Sequence, residues 1–144
     1  MEISLEHIAD AQNFNTFRVA FHSAAKRCLL MYPHVTGLIF TDKFGNQTAE
    51  WQTRFLISKP VDDFVLNPGD RISFNLHAHI NADSQEHHWV IDLPAGEYVV
   101  HFHYHIDRET DWYDVLQKRS RFVDMTPIWR GSVQSNTIPL TVIG

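Results

Sequence analysis

The stretch GEYVVHFHYHI, residues 96–106, places Tyr98, Val100, Phe102, Tyr104 and Ile106 at every second position. His101, His103 and His105 stand between them. Successive side chains of a strand point to opposite faces. The segment therefore reads as a strand with one aromatic and aliphatic face turned inward, and with three imidazoles sharing the other. RISFNLHAHI, 71–80, repeats the pattern: Ile72, Phe74, Leu76, Ala78 and Ile80 on one face, and Ser73, Asn75, His77 and His79 on the other.

Shorter alternations surround these two. FNTFRVAFHS aligns Phe17, Val19 and Phe21, VTGLIFTD aligns Leu38 and Phe40, and QTRFLIS is a further strand candidate. DKFGN, NPGD and LPAG supply turns between them. Near the end, SNTIPLTVIG aligns Ile138, Leu140 and Val142. Pro139 lacks a ladder donor and so predicts an edge strand. About seven short strands with regular turns predict an all-β sandwich or small barrel. No internal repeat or linker divides the chain, and 144 residues suit a single β-sandwich domain over 1–144.

Residues 108–131 break the pattern. Within this helix-bearing insert, DWYDVLQKRSR has Asp111 as an N-cap and puts Trp112, Val115, Leu116 and Arg119 on one side. A short helix is expected there, in the last long connection. Connections of this length in a compact β domain are often functional.

Net charge is −5, so no global field favours nucleic acid or an anionic membrane. Cys28 is the one cysteine, which excludes an internal disulfide and a cysteine-based zinc framework. The opening MEISLEHIADAQNF does not read as a signal peptide, and no apolar run approaches the ~18 residues of a membrane span. A cytoplasmic location is the expectation.

At LNPGDRISF, LPAGEYVVHFHY and WRGSVQSNTIPLTV the chain resembles bacterial immunoglobulin-like modules, and remotely the intracellular proteinase inhibitor family. The shared pattern is L-x-PG-[DE] opening one strand, LPAG-x-Y-x-V the next, and W-x-G-x-V-x-SN before the last. TDKFGN matches the early D-x-x-G turn. The resemblance covers about residues 14–142. It implies an immunoglobulin-like antiparallel sandwich of seven to nine strands, and protease inhibition as an activity. It also puts Tyr98 at a tyrosine corner, with Val100 in the place of the second immunoglobulin cysteine. The insert departs from the compact pattern.

Three function classes follow. The leading one is a non-enzymatic module, of inhibitor or immunity type, that binds a protein partner without cofactor or metal. Trp112, Tyr113, Lys118, Arg119, Arg121 and Arg130 are its candidate contacts, because Trp, Tyr and Arg dominate binding hot spots. The alternative is a cupin-like metal protein that gathers His77, His79, His101, His103 and His105. This requires the two histidine strands to be neighbours; in an immunoglobulin arrangement they lie in opposite sheets. The third class is a subunit that assembles through its edge strands. Otherwise the histidines are the polar outer face of two strands, EHHW at 86–89 is an exposed loop, and Cys28 is a buried thiol.

Overall fold

The computed structural model describes residues 1–9, 15–22, 25–31, 36–52, 63–81, 90–106 and 126–144. Eleven strands occur among them. These are β1 (Glu2–Ala9), β2 (Asn15–His22), β3 (Cys28–Met31), β4 (Thr36–Asp42), β5 (Gln47–Gln52), β6 (Asp63–Leu66), β7 (Arg71–Ile80), β8 (Val90–Ile91), β9 (Gly96–Ile106), β10 (Gly131–Gln134) and β11 (Ile138–Val142). The chain is all-β, and no helix occurs among the described residues. The helix expected within 111–121, the loop EHHW, and QTRFLIS beyond Gln52 lie outside the described residues.

One sheet runs β1-β2-β7-β8. A second runs β10-β9-β4-β5, with β11 also on β9. A two-stranded sheet joins β3 to β6. All pairings are antiparallel except β7 with β8. The strand count exceeds the expected seven to nine for two reasons. β3, β6 and β8 are only two to four residues long, and the last strand is divided into β10 and β11.

The two larger sheets meet across one core. Phe21 of β2 sits edge-on to Phe102 and Tyr104 of β9, with ring centres 6.0 and 5.1 Å apart. Phe17 of β2 meets Phe40 of β4 in the same way at 6.3 Å. Edge-to-face aromatic pairs add about 0.5–1.5 kcal/mol each beyond the area they bury. Every inward residue of β9 from Tyr98 to Ile106 is buried, as the alternation predicts. Burial on β2 is broader than alternation, since Thr16 and Ala20 are buried beside Phe17, Val19 and Phe21.

Local polar contacts fix the ends and edges of the sheets. The Tyr98 hydroxyl donates to the Pro94 carbonyl at 2.7 Å, tying the start of β9 to the turn before it. Gln134 pairs with His103 and Ile138 with Val100, so residues 135–137 oppose only 101 and 102. This is a one-residue bulge. Within it Ser135 N–H donates to Phe102 O, and Ser135 Oγ accepts from Phe102 N–H. Asn136 is thereby aimed at the other sheet. Its side-chain amide accepts from Leu5 N–H (2.8 Å) and donates to Leu5 O (3.0 Å). The amide pairs with the edge of β1 away from β2, as a neighbouring strand would. Asn81 does the same for Leu93, from a left-handed backbone with φ 52° that asparagine tolerates better than most residues.

Two substitutions separate these contacts from general packing. Tyr98→Phe keeps the ring and loses one hydrogen bond, for an expected cost of about 1 kcal/mol. Asn136→Ala strips two partly buried backbone groups of their partner, for about 1–3 kcal/mol. Urea unfolding should show both losses with unchanged m-values. Equal stability of Asn136→Ala and wild type would mean that the β1 edge does not depend on this amide.

Candidate functional site

β7 and β9 each carry one histidine set, and the sheet order separates them. β7 lies between β2 and β8; β9 lies between β4 on one edge and β10 with β11 on the other. His77 is opposite Thr16, and His79 opposite Val90. His101 is opposite Ile39, and His103 opposite Gly37 and Gln134. The adjacency that a five-histidine metal centre requires is therefore missing. The cause is topological: β8 still pairs with β7, and the chain crosses to the other sheet between Ile91 and Gly96. Among the described residues no three His, Cys, Asp or Glu stand close enough to hold a metal ion.

On the outer face of β9, His101 and His103 are half-buried and His105 is exposed. The His103 and His105 rings are 6.0 Å apart and inclined at 35°. His103 Nε2 lies 2.7 Å from Ser132 Oγ on β10, a diagonal cross-strand contact. His101 is held below the ordinary histidine range, first by burial and then by its neighbour His103. Each effect disfavours a second positive charge on this face.

The end of the insert builds a different site. Pro127 O accepts from Leu29 N–H, and Trp129 N–H donates to Leu29 O, so this segment runs alongside β3. Trp129 packs on Tyr104 with ring centres 5.4 Å apart. Gly131 follows with φ 141°, and a Cβ there would lie 3.2 Å from the Trp129 ring. Beside this junction a cleft of about 330 Å³ is lined by Met1, Ala25, Lys26, Arg27, Cys28 and residues 127–130. Among the described residues its charged side chains are Lys26, Arg27 and Arg130, all basic and all exposed. Ile128 and Trp129 form a half-buried apolar wall. Burial pushes the Cys28 thiol up, which keeps it protonated and poorly nucleophilic.

Of the expected contact residues, Arg130 stands on this rim. Trp112, Tyr113, Lys118, Arg119 and Arg121 lie outside the described residues. Lys26 and Arg27 were not among the expected contacts, although the run AAKRC was their signal. Ser132 was not expected beside His103, because that contact spans two strands.

The His101 shift carries a pH consequence. A depressed histidine pKa means the unfolded chain binds the proton more readily. The associated stability is complete above the unfolded value, about 6.5, and declines as pH falls through it. Melting temperatures should be lower at pH 5.5 than at 7.5, and His101→Gln should narrow that difference. A difference unchanged by His101→Gln would contradict the assignment. No family model matches the chain, and no curated protein or solved structure matches it either.

Proposed function

We propose that the chain is a non-enzymatic protein-binding module on an immunoglobulin-like sandwich, working in the cytoplasm as an inhibitor or immunity-type factor. The strand order supports the architecture. In this reading β1-β2-β7 take the places of strands A, B and E, and β10 with β11, β9, β4 and β5 those of G, F, C and C′, while β8, parallel to β7, departs from the antiparallel scheme. The Tyr98 to Pro94 hydrogen bond has the form of a tyrosine corner, with buried Val100 two residues on. β4 presents Leu38 and Phe40 to the core where antibody domains carry a tryptophan.

The observation that carries the functional reading is the cleft at the end of the insert. A chain of net charge −5 gathers Lys26, Arg27 and Arg130 around an apolar wall there, and none of the described lining residues is acidic. Such a surface suits a partner that offers an acidic rim around an apolar contact. Trp112, Tyr113, Lys118, Arg119 and Arg121 precede this rim in the same insert of the sequence, and they remain the candidate contacts that the sequence offers.

Affinity purification from the native cell, followed by charge reversal, tests this. Arg27→Glu with Arg130→Glu should leave stability within about 0.5 kcal/mol. The pair should slow association and weaken capture by about tenfold or more, and wild-type capture should fall as salt rises. A double variant that folds and captures the same partner equally well at low salt would move the binding surface elsewhere.

A further inference from the structure

The histidine face of β9 plays no part in the proposed protein-binding surface. We propose that His103 and His105 form an exchangeable chelating pair for one imidazole-seeking first-row divalent cation, with water completing its coordination. The pair does not depend on the cleft or on any partner.

Three observations support it. The first is spacing. A metal about 2.0–2.1 Å from one nitrogen of each ring, at a tetrahedral angle, sets two imidazole centres about 5 Å apart. The rings stand 6.0 Å apart already. Staggered rotation about two side-chain torsions on an exposed strand face covers the remainder. The second is orientation. Metal-bound imidazoles usually donate their other ring N–H to a fixed acceptor. Ser132 Oγ provides one at 2.7 Å from His103 Nε2, which leaves His103 Nδ1 as the ligand atom. Ser132 is thus a positioning residue, and it also stands opposite His105 in the register. The third is access. His105 is exposed, so its ring can be reached from solvent.

The ligand set defines the cation class. Two imidazoles, with no carboxylate or thiolate grouped with them among the described residues, suit Cu²⁺, Ni²⁺ and Zn²⁺ rather than Mg²⁺ or Ca²⁺. The order of divalent affinities puts Cu²⁺ first. With two protein ligands the ion exchanges readily, so it is acquired and released rather than held as a structural centre. His101 stands two residues back on the same face, as the neighbour that does not ligate.

Copper titration of untagged protein at pH 7.5 tests the pair, read by calorimetry and by electron paramagnetic resonance. A His87→Gln, His88→Gln background removes the other adjacent histidines. One equivalent should bind with a two-nitrogen hyperfine pattern. His103→Ala and His105→Ala should each weaken binding by about tenfold or more, and Ser132→Ala by a smaller factor. His101→Ala, and His77→Ala with His79→Ala, should stay within about threefold of the background. In wild-type protein, sub-stoichiometric Cu²⁺ should broaden the His103 and His105 ring signals first, a readout that needs no variant. Lack of a saturable site, undiminished binding by His103→Ala or His105→Ala, or an equal loss from His101→Ala would each overturn the assignment. Mg²⁺ should not compete, and displacement of copper by Mg²⁺ would contradict the ligand chemistry.

Discussion

The fold depends on the burial of one face of β9. Five side chains from Tyr98 to Ile106 lie inside, and the strand is paired on both edges, by β4 and by β10 with β11. A one-residue slip would move all five to solvent and bring the histidines into the core, so the register is strongly specified. Phe21 lies against two of the five from the opposite sheet. The same alternation that buries Phe102 and Tyr104 presents His101, His103 and His105 outward. The core and the candidate cation face are thus two sides of one constraint.

Side-chain amides and hydroxyls complete the fold where backbone pairing stops. Asn136 joins the bulge in the last strand to Leu5 of the first, and Asn81 joins the end of β7 to Leu93. Asp42 accepts from the backbone N–H groups of Phe44 and Asn46 at the β4–β5 turn. Those bonds, led by the one from Asn46, hold its carboxyl below the usual range. Buried or half-buried backbone groups need partners, and a short polar side chain supplies two at once. The bulge has a further effect on the outer face of β9. It sets the register of β10 independently of β11, and so places Ser132 opposite His105 and within reach of His103.

Long alternations were legible in the sequence. β7 and β9 match their expected segments, Pro139 does lie in a strand that pairs with β9 alone among the described strands, and Tyr98 bonds back to the turn. β1 was not anticipated, because only Ile3 and Leu5 alternate before His7 interrupts the pattern. β3, β6 and β8 are too short to carry a period. Strand adjacency is not written in local pattern at all, so the sequence left open whether the histidine strands meet. The cleft joins residues 25–28 to 127–130, and the Asn136 link joins positions 131 apart. Contacts of that separation come from the path of the whole chain rather than from any window of it.

The arrangement rests on β7 and β9 lying in different sheets. Backbone nuclear Overhauser effects test this most directly, because paired antiparallel strands bring opposed Cα atoms within about 4.5–5.5 Å. The β9 resonances from Tyr98 to Ile106 should connect to β4, and to β10 or β11. Those of β7 should connect to β2 from Arg71 to Ala78. No backbone cross-peak should link β7 to β9. A ladder of cross-peaks between His77 or His79 and residues 101–105 would make the two strands neighbours. It would replace the two-sheet arrangement with a barrel that brings all five histidines together.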